Sequence, residues 1–340
     1  MLRILGALLI ATLVIAGSAG VFVEHQLSAR LSLPHERVFD VPFGATLRQV
    51  LRQLESDRAI EDARAVEWVA RLRGDAARMK AGEYSLRPGM TVDALLGKLA
   101  RGEVHQRSFV IVEGWHMGDL RAALTSAPRL ESTIDVLADA ELMVALDRPG
   151  VSAEGRFFPD TYLYEAGTTD RALLTRAAAR MDAVLEAEWR ERRADLPLHD
   201  ASEALVLASI VEKETGMAKD RTEIAGVFVR RLERGMRLQT DPTVIYGLGD
   251  AFDGNLTRRN LRDPHRWNTY VHEGLPPTPI AMPGRAAIHA ALHPADGTSL
   301  YFVARGDGSS EFSDTLEAHN DAVRRFQIEP ARRVPAERMP

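Results

Sequence analysis

The chain has 340 residues, 45% hydrophobic and 27% charged, with a formal net charge of -5 and a pI near 6.1. That composition predicts one to three packed domains without long internal disorder, and it excludes a general nucleic-acid binder, which would carry a strongly basic face. Cysteine is absent, so disulfides, thiolate nucleophiles and zinc-cysteine sites are excluded as well.

From Ile4 to Val23 no residue is charged and Leu, Ile, Val and Ala dominate. At about 1.5 Å per helical residue, this stretch spans a hydrocarbon core of ~30 Å. Arg3 precedes it and Glu24 and His25 follow, a slight asymmetry that favours an inside N-terminus. The preferred reading is a transmembrane anchor over residues 1–24. The rival is a cleaved signal peptide, with Ala16-Gly17-Ser18-Ala19 as its small-residue site. Either reading puts the rest of the chain outside the cytoplasmic membrane. A buried core helix is the third alternative.

Residues 25–37, with Pro34, read as a polar linker. A small α+β module is expected over residues 38–108. Val38–Val41 reads as a strand, and Thr46 caps a helix carrying Leu47, Val50, Leu51 and Leu54 at amphipathic spacing. A second helix holds Val66, Trp68, Val69 and Leu72 and stops near Gly74. After a strand around Tyr84 and a Pro88-Gly89 turn, Thr91 caps a helix lined by Val92, Leu95, Leu96 and Leu99 and ended by Gly102. The plan is that of small modules that bind glycans.

A catalytic region is expected over residues 109–328, with a frayed tail at 329–340. It opens with a short apolar strand, Phe109–Val112. A largely helical stretch to Leu196 is broken by a Gly- and Pro-containing aromatic loop, Glu154 to Tyr162. Asp200 and Glu203 form a capping signal for a helix that Gly216 is placed to end, and Asp220 with Glu223 repeats the signal. Loops dominate from Met236 to Gly284. A helix over 285–292 and a strand over 300–303 complete the region.

On a wheel of about 100° per residue, Ser202, Ser209 and Lys213 share one side of the helix over 201–215. Ala204, Leu207, Ile210 and Val211 define the other. Glu214 falls on the apolar side at the helix C-terminus. Desolvation and the negative end of the helix dipole both raise the pKa of such a carboxyl. A carboxyl held protonated near neutral pH suits general-acid work on a glycosidic oxygen. The structural alternative pairs Glu214 with Arg230, Arg231 or Arg237.

Gln239, Thr240 and Asp241 precede a helix at Pro242. Asp241 reads as its N-cap, while Gln239 and Thr240 are freer to meet a polar ligand. Asn268, Thr269 and Tyr270, beside Trp267, suit a sugar, with rings for its apolar face and amide and hydroxyl groups for its hydroxyls. A packed loop is the alternative. Tyr246 joins the candidate binding residues. No nucleotide-binding, serine-hydrolase or zincin motif occurs. His289 and His293 have i,i+4 spacing and could ligate a metal.

These segments resemble the YceG-like family of endolytic murein transglycosylases. The resemblance rests on Lys80–Tyr84, Val112-Glu113-Gly114, Phe158–Tyr162, Ala208–Thr215, Gly235–Gly247, Asn268–Tyr270 with Gly274–Pro277, and Tyr301–Ala304. It implies an α+β protein with an N-terminal transmembrane helix, a LysM-like module and a mixed α/β catalytic domain bearing its catalytic Glu on a helix. It implies a single-pass inner-membrane protein, periplasmic body outward, that cleaves the β-1,4 bond between N-acetylmuramic acid and N-acetylglucosamine of nascent strands. The cut leaves a 1,6-anhydro end. Penicillin-binding synthases are the implied partners, and the second Glu of Glu212-Lys213-Glu214 is the implied catalytic residue. The family gives no reason to expect a metal at His289 and His293, and no cofactor is expected. The sequence departs from the family at Trp267, where Tyr is common, and at Thr278, where Gly is usual. A glycan-binding scaffold without turnover and a muramidase-type hydrolase using Asp241 stand as alternatives.

Overall fold

In the computed structural model the structure describes residues 2–329. Helix α1 (Leu2–Ser28) is continuous. Its large apolar side chains between Leu8 and Ile15, and Val21, are 61–69% exposed, which removes the core-helix alternative. Partial covering begins at Val23, where the apolar run ends.

The chain divides into two compact units, residues 1–107 with 163–167, and residues 108–162 with 168 onward. In the first, the segment expected as a linker is instead part of the fold. Leu31 is buried, its N–H donates to the Met90 carbonyl at 2.7 Å, and the Ser32 N–H donates to that of Ala59 at 2.9 Å. The apolar Leu31 inside a polar stretch is what draws it in.

Strand β1 (Arg37–Val41), helices α2 (Leu47–Ser56) and α3 (Ala63–Arg73), strand β2 (Gly82–Leu86) and helix α4 (Val92–Arg101) follow in order. β1 and β2 pair antiparallel, with Phe39 opposite Tyr84. The starts and stops are local. Thr46 and Gln49 form a capping box on α2, Asp62 caps α3 through the N–H groups of Arg64 and Ala65, and Thr91 caps α4 through that of Ala94. Gly74 closes α3 at φ +77°, a left-handed position that suits glycine. Leu51, Leu54, Tyr84, Leu86, Leu95 and Leu96 form the centre of the core.

Strand β3 (Arg107–Val110), helices α5 (Met117–Ser126) and α6 (Asp139–Ala145), strand β4 (Thr161–Tyr164) and helix α7 (Asp170–Arg190) come next. Then follow α8 (Ala201–Glu214), α9 (Ala218–Glu233), α10 (Asp241–Leu248), α11 (Arg285–Leu292), β5 (Tyr301–Ala304), β6 (Ser310–Ser313) and α12 (Leu316–Val323). Each sheet has two strands: β1-β2, β3-β4 and β5-β6. The class is α+β.

α8 packs against α11, α9 and α7, and every residue from Ala204 to Val211 is buried. The polar side assigned to it at Ser209 does not exist. Ser209 is fully buried, donates to the Val206 carbonyl at 2.7 Å and accepts from the Ile280 N–H at 3.0 Å. Asp200 caps α8 as expected, accepting from the Glu203 N–H at 2.9 Å.

Three boundaries differ from expectation. α8 ends at Glu214 because Thr215, not Gly216, turns extended. α9 starts at Ala218 without a side-chain cap, and Asp220 instead accepts from the Ser310 N–H at 2.8 Å, bracing β6. α10 begins at Asp241 with Thr240 as N-cap, so Asp241 is the first helical residue and its carboxylate is free for another partner. The β5-β6 hairpin was legible only in its first strand, because β6 is short and polar.

Candidate active site

α8 delivers Glu214 as its last residue. A cleft of about 450 Å³ opens over it, lined also by Arg231, Gln239, Asp241, Tyr270, Tyr301 and His319. Part of Glu214 remains accessible through this cleft, while packed protein surrounds the carboxyl on its other sides. Burial, and secondarily the negative charge of Asp241, push its pKa up to about 7 against the pull of a hydrogen bond from Thr240. Among the described residues it has no ion pair with Arg230, Arg231 or Arg237. Arg231 is occupied elsewhere, donating to the carbonyls of Leu300 and Leu238, each at 2.7 Å.

The two glutamates of Glu212-Lys213-Glu214 have separate environments. Glu212 accepts from the Gly284 N–H at 2.9 Å and lies 3.7 Å from Arg221. Lys213 donates to the Gly114 carbonyl at 3.1 Å. Glu214 alone of the three lines the cleft.

The Thr240 hydroxyl donates to the Glu214 carboxylate, and a buried network of short side chains fixes Thr240. Its N–H donates to the Thr269 hydroxyl at 3.1 Å, and its carbonyl accepts from the Thr243 hydroxyl at 2.7 Å. Thr243 and Thr269 share a hydroxyl contact of 2.8 Å. The Gln239 N–H bonds the Thr269 carbonyl at 3.1 Å and so holds Gln239 at φ +51°, a conformation that costs a non-glycine residue about 1–3 kcal/mol. That strain presents an exposed Gln239 side chain to the cleft. Asp241 accepts from the Tyr270 hydroxyl at 2.6 Å.

The expected sugar-binding residues therefore separate. Gln239, Asp241 and Tyr270 line the cleft with Glu214. Thr240 touches Glu214 but is itself buried. Asn268 is fully buried, and its amide donates to the Asp263 carbonyl at 2.7 Å and to that of Leu261 at 3.3 Å. Thr269 is also buried. Both brace the loop rather than face a ligand, so the packed-loop alternative holds for them. Tyr246 is not among the cleft residues; its ring packs edge-on to Trp267 at 5.4 Å, and its hydroxyl donates to Glu154 at 3.2 Å. Glu154 is a second buried carboxyl that burial pushes up to about 7.

Sequence reasoning missed Arg231, Tyr301 and His319 as cleft residues. Tyr301 stacks on His319 with centroids 5.3 Å apart, and Arg231 lies 5.1 Å above the Tyr301 ring. Burial and the Arg231 charge lower the His319 pKa. Tyr301 lay within a quoted motif; nothing local marked His319. His289 and His293 lie in contact with Glu188 and the main chain. Glu188 meets His289 Nδ1 at 2.9 Å, and His293 Nε2 faces the Glu191 carbonyl at 2.8 Å.

A model of the YceG-like family matches residues 39–325. The chain belongs to the YceG-like family. A relative from Bacillus subtilis (strain 168), named endolytic murein transglycosylase, is 29% identical over 306 residues, covering 84% of each chain. One of the same name from Streptococcus pneumoniae (strain D39) is 27% identical over 319 residues, covering 83% of this chain but 57% of that longer protein. The crystal structure of a yceG-like protein from Listeria monocytogenes is 28% identical with a TM-score of 0.56, and the match covers 85% of this chain and 99% of that one. The YceG-like match takes in the β-α-α-β-α module from Phe39 onward and every residue of the cleft around Glu214 except Gln327, which lies just past its end.

Proposed function

We infer that this YceG-like chain is a peptidoglycan lytic transglycosylase with Glu214 as its acid and base. The observation that carries the reading is a half-buried carboxyl, Glu214, held protonatable near pH 7 and opening on the cleft, which the other carboxyl raised to about 7, Glu154, does not line. The names of the relatives agree with it. Protonated Glu214 donates to the glycosidic oxygen between N-acetylmuramic acid and N-acetylglucosamine, and the bond from C1 to that oxygen breaks with oxocarbenium character. The C6 hydroxyl of the muramoyl residue attacks C1, and its proton passes to Glu214. Atoms balance without water, and the new end is a 1,6-anhydro sugar. Gln239 and Tyr270 position the strand, and Thr240 sets the carboxyl's orientation and acidity.

The anchor, the outward body and the module belong to the same reading. α1 spans the inner membrane, supported by its exposed apolar length. The β-α-α-β unit is LysM-like and engages glycan. Nascent strands beside penicillin-binding synthases are the site of action. Asp241 in the same cleft supports a second reading, a hydrolase with two carboxylates.

Mass spectrometry of purified sacculi digested with the chain and with Glu214→Gln decides. Products one water lighter than reducing muropeptides, absent with the variant, are expected. Reducing ends that vanish with Asp241→Asn would move the assignment to hydrolysis, and undiminished cleavage by Glu214→Gln would remove Glu214 from the chemistry.

A further inference from the structure

The first unit carries a surface that the proposed chemistry leaves unused. α2 and α3 pack side by side, and Arg48, Arg52, Arg64 and Arg71 line one cavity of about 410 Å³ with Glu67 and Trp68. Glu67 is the single carboxylate in that lining. It pairs with Arg48 at 3.0 Å and Arg71 at 2.7 Å, while Arg52 and Arg64 have no ion pair among the described residues. On α3, Arg64, Trp68, Arg71 and Leu72 fall at i-4, i, i+3 and i+4, one face of the helix. Trp68 is 50% and Leu72 64% exposed.

A separate contact fixes the depth of this face. The ring of Phe22 in α1 meets Trp68 edge-on, with centroids 6.4 Å apart. Phe22 stands one residue before the end of the uncharged run, and Glu24 and His25 follow. If α1 crosses a bilayer with that run in hydrocarbon, Trp68 lies at the headgroup level on the outer side. Tryptophan concentrates at that depth, and arginines there bind lipid phosphates in charge-assisted pairs.

We propose that the α2–α3 face rests on the bilayer, with Trp68 and Leu72 in the interface and the four arginines on the phosphates of anionic phospholipids. This rests on the reading of α1 as a membrane span and goes beyond the catalytic assignment. α1 packs on α3 and α4, so the module is held close to the end of the span. A second contact, apolar and electrostatic, holds it flat against the surface and makes the hold dependent on lipid charge.

The absence of cysteine makes a clean test available. Leu72→Cys, Val14→Cys and Val136→Cys, each spin-labelled singly in the full chain, are reconstituted in vesicles of phosphatidylcholine with or without phosphatidylglycerol. Collisions with oxygen report lipid, and collisions with a nickel chelate report water. Expected is a lipid-like Leu72 in phosphatidylglycerol vesicles, with Val14 lipid-like and Val136 water-like throughout. Replacing exposed Arg52 and Arg64 together by Gln should lower the ratio of lipid-docked to undocked Leu72 more than about tenfold, since each basic residue near an anionic surface contributes about fivefold to that equilibrium. A water-like Leu72 beside a lipid-like Val14 overturns the docking and leaves the anchor standing. A water-like Val14 overturns the anchor itself. A lipid-like Leu72 indifferent to phosphatidylglycerol and to both arginines overturns the phosphate contacts.

Discussion

The first unit and the second, which carries the cleft, bury polar groups by different means. In the first, Glu67, Asp75 and Glu83 are buried carboxylates, each facing arginine: Arg48 and Arg71, Arg73, and Arg107. Long, partly exposed cations neutralise charge at the edge of an apolar core. In the second, Ser209, Thr240, Thr243, Asn268 and Thr269 are short side chains buried completely or nearly so, bonded to main chain and to one another. Such a network has few alternative geometries, and it ends on Glu214. The difference teaches where precision is spent: the module needs a stable body, and the cleft needs one carboxyl held at one orientation.

The largest expected effect sharpens that contrast. Glu214→Gln should lower sacculus cleavage by roughly a hundredfold to ten-thousandfold, the usual weight of general-acid catalysis, while far-ultraviolet circular dichroism stays unchanged. The same variant has a stability signature. Because the folded carboxyl is raised to about 7, its ionisation costs the native state stability as pH rises from about 4.5 through 7. The melting temperature of Glu214→Gln should therefore gain on the wild type across that window, and a constant gap would show that the carboxyl titrates normally.

Leu95→Ala, in the core of the first unit, should cost about 2–5 kcal/mol in denaturant titration, with the kinetics of the surviving folded protein intact. Asn268→Ala, in the loop network of the second, should cost about 1–3 kcal/mol by stranding buried carbonyls, and should also slow cleavage because Thr269 and Thr240 lose their support. If Asn268→Ala proved as harmless to cleavage as Leu95→Ala, the idea that the network serves Glu214 would fail.

Smaller shifts should appear in the pH profile. With a protonated Glu214 as acid, kcat/KM falls as pH rises through about 7. Thr240→Val removes a bond that favours the ionised form, so the falling limb should move to higher pH. Asp241→Asn removes a like charge, so it should move lower. The smallest effect belongs to the module: Arg48→Ala should change stability by about 1 kcal/mol or less, measured in the same titration, because Arg48 is half-exposed and Arg71 still pairs with the buried Glu67.

Legibility followed the physics of each element. In the first unit Thr46, Thr91, Gly74 and Gly102 mark helix ends within a turn of the residues they serve, and half-buried helices keep their apolar stripe. α8 offered no stripe, since it is buried on all sides, and the wheel misplaced Ser209 while still pointing to Glu214. Asn268 and Thr269 have the chemistry of sugar ligands, but burial gave their hydrogen bonds to the loop.

By itself, the sequence determined the apolar anchor candidate, the capped β-α-α-β-α module, the YceG-like family and the glutamate at the end of α8. These depend on neighbours within a few residues or on long matching strings. Tertiary structure alone decided that Glu212 turns to Gly284 while Glu214 enters the cleft, that Thr240 meets Glu214, and that Arg231, Tyr301 and His319 complete the wall. Those contacts join residues far apart in the chain, and hydrogen-bond geometry and desolvation between such residues leave no periodicity for a sequence to display.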